Sequence, residues 1–138
     1  MSNIIIRNDK EEINEITKLF FSTFTNKGKS PCIELLENLC IERVIISKNT
    51  NGQTEIYDLH SFIQPRLTIL TNGTLLDFEE KELTETTIVK GNIAQRISEY
   101  KKEGNLNNVR FYETGTKMFQ FLKINGHWKI SSLIWNDN

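Results

Sequence analysis

The sequence predicts an α+β fold: three N-terminal helices packed on one face of a strongly curved antiparallel sheet, as a single domain over residues 1–138. Two observations carry this. Apolar residues recur at helical spacing before residue 70 and alternate from Leu75 onward. Arg110–Ile124 and His127–Trp135 are long alternating runs joined by Asn125-Gly126, the mark of a β-hairpin with a type I′ turn. A hairpin of that length must curl, and a curled sheet behind helices encloses a hollow. The length suits one domain, which buries roughly two thirds of its unfolded surface and needs no staples.

Asp9-Lys10-Glu11-Glu12 reads as an N-cap with a capping box, and Ile13, Ile16, Leu19, Phe20 and Phe24 follow on one helical face. This predicts a helix from about residue 9 to 25, ended by Asn26-Lys27-Gly28-Lys29. Ser30 caps a short second helix that Pro31 opens and Ile33, Leu36 and Leu39 continue. Arg43–Ser47 is β-rich, Asn51-Gly52 turns the chain, and Thr54–Tyr57 returns it. Asp58 can cap a third helix to about Leu70, with Phe62, Ile63, Leu67 and Leu70 toward the core. Pro65 falls inside it; a mid-helix proline costs ~3 kcal/mol, which predicts a kink or a restart. Asn72-Gly73 then stops the helix. Leu75–Val89 is one long strand, Lys90-Gly91-Asn92 turns, Ile93–Lys101 returns, and Glu103–Asn108 is a polar loop before the closing hairpin.

Charge is nearly balanced, 17 basic against 18 acidic residues with no block of one sign, so neither nucleic acid nor a membrane surface is an expected partner. Ile4-Ile5-Ile6 is too short for a signal sequence and no run reaches transmembrane length, so the expected location is cytoplasmic. Without a secretory signal, the sequon Asn72-Gly73-Thr74 reads as a turn. Cys32 and Cys40 fall on one predicted helix, ~12 Å apart at the rise of an α-helix. That is too far to bridge, and both read as small buried hydrophobes.

With Asn125-Gly126 as a two-residue turn, Ile124 opposes His127, Lys123 Trp128, Phe121 Ile130, Phe119 Ser132 and Lys117 Ile134. One face then carries Phe119, Phe121, Trp128, Ile130 and Ile134 and makes the core. The other carries Met118, Leu122, Leu133 and Trp135. A patch of Met118, Leu133 and Trp135 predicts a homodimer through the outer sheet face. The inner face also holds Glu113, Gly115, Lys117 and Ser132. Gly115 predicts a bulge or bend. Inward charges need partners or water, and a pocket supplies both. A pairing of Tyr100 near Val109 would bring Arg96 beside Glu113.

Gly91-Asn92-Ile93-Ala94-Gln95-Arg96-Ile97-Ser98-Glu99-Tyr100 resembles the G-d-i-A-x-R-x-S-x-Y strand of the polyketide-cyclase-like (SnoaL-like) branch of the nuclear transport factor 2-like superfamily. Phe119-Gln120-Phe121 followed by Asn125-Gly126-His127-Trp128-Lys129-Ile130 resembles the closing F-x-F … G-x-W-k-I hairpin of that branch. Residues 9–70 resemble it in element order. The resemblance implies a cone-shaped, cystatin-like roll with a pocket between helices and concave sheet, and frequent dimerisation through the sheet. It spans isomerases, dehydratases, cyclases, binding proteins and assembly modules, so it implies a fold and not a reaction. Neither the aspartate–tyrosine arrangement of its steroid isomerases nor the histidine–aspartate dyad of its dehydratases is matched, and no catalytic residue is carried over.

Tyr57, Asp58 and His60 stand together where the short hairpin meets the third helix; a His beside a carboxylate can act as a base and Tyr as a donor. Equally, Asp58 is a helix cap and His60 an exposed first-turn residue. Arg66 either holds a ligand carboxylate or is a solvated charge. Glu80 and Glu82 share a strand face, as an acid–base pair or as solubilising edge charges. Arg96, Glu113, Lys117 and Ser132 form either a site for a small polar or anionic ligand or a structural ion-pair network. His60 and His127 are the only histidines, with no metal-ligand spacing, P-loop, G-x-G-x-x-G or G-x-S-x-G, so neither metal nor cofactor is expected. The sequence therefore predicts a small-molecule-binding pocket, and, if it is an enzyme, one of isomerase or dehydratase type. The alternative is a non-catalytic assembly module whose pocket is plugged by Phe20, Phe24 and Phe119.

Overall fold

A computed structural model describes residues 8–138; the Ile4-Ile5-Ile6 run lies outside them. Helix α1 spans Asp9–Ser22. Its cap is Asn8, not Asp9: the Asn8 side chain accepts from the Glu11 N–H at 2.8 Å. That releases two acids for the closing hairpin. Asp9 Oδ1 accepts from Trp128 Nε1 at 3.0 Å and from Lys123 Nζ at 2.9 Å, and Glu12 Oε1 accepts from the Trp128 N–H at 2.9 Å.

A 3₁₀ turn at Ile33–Leu35 leads into α2 (Leu36–Leu39), so the second helix starts beyond Pro31. Cys32 is exposed ahead of that turn, while Cys40 is buried as the first residue of β1 (Cys40–Thr50). The two cysteines thus share neither a helix nor an environment, and burial pushes the Cys40 thiol up to about 12. Asn51 and Gly52, both at positive φ, turn β1 into β2 (Gln53–Tyr57). Helix α3 covers Leu59–Thr71, capped by Asp58 in a reciprocal box with Ser61. It runs through Pro65 without restarting. The hydrogen bond lost there is the one to the carbonyl of Ser61, an exposed residue that water can satisfy.

Four strands follow: β3 (Leu75–Lys90), β4 (Ile93–Leu106), β5 (Val109–Ile124) and β6 (His127–Asp137). The six-stranded sheet has the order β2-β1-β6-β5-β4-β3 and is antiparallel except at the β1–β6 seam. The helices lie on its inner face, where Phe20 and Phe21 of α1 meet Phe119 edge-on at 5.1 and 6.1 Å.

Two registers differ from the sequence expectation. The stretch expected as a polar loop continues β4 to Leu106, and Asn107 and Asn108, at φ 50° and 67°, make a two-residue turn into β5. Asparagine tolerates the left-handed region that such turns demand. Tyr100 therefore pairs with Gly115 rather than near Val109, and Arg96 pairs with Phe119, six positions from Glu113. In the closing hairpin the expected pairing holds from Ile124–His127 to Phe121–Ile130. Beyond it the register shifts, and Gln120 faces Ser132, Phe119 Leu133 and Lys117 Trp135. One extra residue turns everything after it to the opposite face. Leu133 and Trp135 consequently point inward, 1% and 7% exposed, while Ile134 is 52% exposed on the outer face. Bulges in β3, between Leu76 and Glu79 and between Glu82 and Thr84, increase the twist of the sheet's other flank.

Candidate ligand cavity

The bulge at Ser131 of β6 determines the chemistry of the wide end of the sheet, because it places Lys117 and Trp135 side by side on the inner face. A cavity of about 700 Å³ opens there between α3 and the concave sheet. Its apolar wall includes Phe62 and Ile69 of α3 and Phe78, Leu106 and Phe111 of the strands. Its charged side chains are Lys48, Arg66, Lys102 and Lys117 against Glu80, Glu113 and Asp137. No group of three His, Cys, Asp or Glu is arranged to hold a metal ion among the described residues.

Lys117 and Glu80 are the centre of this polar end. Lys117 Nζ lies 2.9 Å from Glu80 Oε1, and both side chains are 7% exposed. The ammonium also sits over the rings of Tyr100, at 4.2 Å, and Trp135, at 4.9 Å. Burial lowers the Lys117 pKa below the usual lysine range, and the charge of Glu80 only partly restores it. The contact is a tight ion pair, and Glu80 Oε1 is sealed from solvent.

A second cluster surrounds Asp137. Tyr100 and Gly115 pair on β4 and β5, and Gly115 pairs with Asp137 on β6, so the three form one row. The Tyr100 ring crosses over Gly115 and its hydroxyl donates to Asp137 Oδ1. A Cβ at position 115 would collide with Tyr100 Oη and the Asn136 carbonyl, so the glycine permits this crossing. No register shift occurs at Gly115, which corrects the expected bulge. Lys102 and Lys48 lie 3.0 and 3.5 Å from the Asp137 carboxylate. Burial opposes the charge on Asp137, but the Tyr100 hydroxyl and the two ammonium groups outweigh it and hold the carboxyl below its ordinary range. Burial and the same hydrogen bond raise the Tyr100 phenol.

Arg66 forms the α3 side of the cavity. Its guanidinium lies 3.9 Å from the Phe62 ring centroid, 5.0 Å from Tyr57 and 5.5 Å from Trp135, and Nη1 donates to the Phe62 carbonyl at 3.1 Å. Burial lowers its pKa, against the pull of Tyr57 and Glu80. No described carboxylate lies within ion-pair distance of it.

Of the residues singled out in the sequence, Arg66, Glu80, Glu113 and Lys117 meet at this cavity, while Glu82 pairs with Arg96 away from it. Tyr57 stands behind it, stacked on Trp135 at 6.4 Å and bonded through its hydroxyl to Glu55. His60 is exposed in the first turn of α3, and Asp58 is the helix cap. Ser132 is turned outward by the bulge and donates to Gln120 Oε1 at 2.9 Å. Arg96 does not stand beside Glu113. It is buried under α1, paired with Glu82 at 2.6 Å and donating to Asn14 at 2.6 Å and Thr87 at 3.1 Å. The β3 bulge after Glu82 brings Glu85 to the same face, 3.6 Å from Arg96, and Lys10 of α1 closes that network on Glu85 at 2.7 Å. Lys48, Lys102, Tyr100 and Asp137 were not anticipated. Reading Asn107-Asn108 as a tight turn would have placed Lys102 opposite Glu113 by counting.

No protein-family model and no curated protein matches the chain in sequence. Solved structures do match in shape. An NTF2-like protein of unknown function from Prochlorococcus marinus superposes with a TM-score of 0.74 at 16% identity, over 96% of this chain and 94% of that one. An NTF2-like protein from Cytophaga hutchinsonii gives 0.72 at 12% identity, over 96% and 100%. An NTF2-like superfamily protein from Salmonella enterica gives 0.72 at 18%, over 91% and 88%. With its three helices on a curved six-stranded sheet, this chain has the nuclear transport factor 2-like fold.

Proposed function

We propose that this protein binds a small, partly apolar molecule in the cavity between α3 and the concave sheet. The observation that carries the reading is the Lys117–Glu80 pair, two opposite charges buried together at the cavity wall. Burying two charges is expensive, and an apolar pair of the same volume is commonly as stable or more so. Such a pair makes sense where a ligand completes its polar contacts. The cavity volume supports the same reading, since it falls in the range of ligand pockets. Of the three phenylalanines that would plug a vestigial pocket, Phe20 and Phe119 pack into the core below, and only Phe24 reaches the lining. The Gly91–Tyr100 strand supports a place in the SnoaL-like branch.

The test is a ligand-observed NMR screen of small carboxylates, phenols and amides, with Ile69→Trp as the filled-cavity control. The reading expects saturable binders that the filled variant loses. An empty screen, or binders that Ile69→Trp retains in full, would overturn it.

A second copy of the chain is the proposed occupant of the outer sheet face, through residues other than those first expected. Ile134, Met118 and Ile97 stand in one cross-strand row, with Ile45 beside it, while Leu133 and Trp135 belong to the interior. Gln95, Gln120 and Ser132 border the row with uncharged groups, which suits a self-complementary contact.

A further inference from the structure

We infer that the ligand is an organic anion: a flat carboxylate that also carries a hydroxyl or amino donor. The inference rests on the cavity reading above and names the class of molecule the cavity takes. Three of its four cations already have carboxylate partners. Lys117 is held by Glu80, while Lys102 and Lys48 share Asp137. Arg66 alone has none among the described residues. A guanidinium fixed in its plane by the Phe62 ring at 3.9 Å is suited to hold a carboxylate by paired N–H donors, and little side-chain freedom remains to be lost on binding.

The opposite requirement comes from Glu80. Glu80 lines the cavity, and among the described residues its carboxylate is met by the Lys117 ammonium at 2.9 Å, so a hydroxyl or amino group on the ligand finds a charged acceptor there. Both demands fall within one molecule's reach. Arg66 and Lys117 pack on the same Trp135 ring, at 5.5 and 4.9 Å, and Glu80 is 2.9 Å beyond Lys117. The body between the two polar ends meets aromatic surface, including Phe78 and Phe111, stacked 6.3 Å apart. A single aromatic ring with an acid at one end and a donor at the other answers all three features.

The probes are 4-hydroxyphenylacetate, its neutral amide 4-hydroxyphenylacetamide, and phenylacetate, titrated into the full chain by calorimetry at neutral pH. The hydroxylated acid should bind about tenfold or more tighter than the amide, the usual scale for a charge-assisted hydrogen bond. It should also bind several-fold tighter than phenylacetate. In Arg66→Met, checked for folding by circular dichroism, acid and amide should bind alike, and Arg66→Lys should recover part of the difference. Equal binding of acid and amide to the natural chain overturns the anion while leaving the cavity reading intact, and needs no variant to fold. Equal binding of the acid with and without its hydroxyl overturns the donor. No binding by any of the three at millimolar concentration overturns this ligand class, and the broader screen above then decides the cavity reading by itself.

Discussion

Lys117 on β5 reaches across β4 to Glu80 on β3, its Nζ 2.9 Å from Oε1, and both side chains lie at the wall of a cavity. The arrangement predicts an asymmetry between single and double substitution. Lys117→Met or Glu80→Leu alone leaves one uncompensated buried charge and should destabilise by about 3 kcal/mol. The double variant should recover most of that loss in urea denaturation while failing to bind whatever the natural chain binds. Additive single losses in the double variant would show that the two charges are uncoupled.

Gly115 allows Tyr100 to cross to Asp137. Gly115→Ala should therefore destabilise by about 1–3 kcal/mol through overpacking, although alanine has the better strand backbone entropy. A variant as stable as the natural chain would mean that the tyrosine moves aside freely.

Asp137 supplies a pH dependence with a defined sign. Its folded carboxyl pKa lies below the unfolded value, so its contribution is fully present above the ordinary carboxylate range and is lost as pH falls through the folded pKa. The melting temperature of Asp137→Asn should thus lie well below that of the natural chain at neutral pH. The gap should narrow from about pH 4 downward. A gap that stays constant into strong acid would contradict the charge contacts with Lys102 and Lys48.

Arg96 is a brace between α1 and β3, distinct from the cavity. Arg96→Leu strands half-buried Glu82 and leaves Asn14 and Thr87 without their donor, and should cost about 1–3 kcal/mol in stability. Ligand affinity of the folded variant should be unchanged in calorimetry. A loss of affinity with the fold retained would return Arg96 to the site.

The outer face predicts an oligomer. Sedimentation velocity should show a dimer for the natural chain and a monomer for the Met118→Glu, Ile134→Glu variant. A natural chain that sediments as a monomer at micromolar concentration removes the proposal.

The periodicities, the turns at Asn51-Gly52 and Asn125-Gly126, the cap at Asp58 and the order of helices and strands were legible in the sequence, because each is set by local chemistry. Two single-residue decisions were not. The bulge at Ser131 depends on how β6 pairs with β1 on its other side, a contact between distant segments. It reassigned Leu133 and Trp135 to the interior and Ser132 to the outside. Asn107-Asn108 looked like part of a loop because its neighbours Glu103, Asn105 and Lys102 are polar; they are polar because they flank a cavity rim and solvent. Lys117 and Glu113 fall on the expected face because the inserted residue lies on β6 and leaves the alternation of β5 unbroken, whereas Arg96 was assigned the wrong partner with the β4–β5 register.

The two tryptophans test the central claim most directly. Trp135 lines the cavity, and Trp128 lies at the far end of the same hairpin, its indole N–H bound to Asp9. In a ¹H–¹⁵N spectrum titrated with 4-hydroxyphenylacetate, the Trp135 indole peak should move and saturate while the Trp128 peak stays. A moving Trp128 with a stationary Trp135, or no movement of either, would contradict a ligand seated between Arg66 and Glu80.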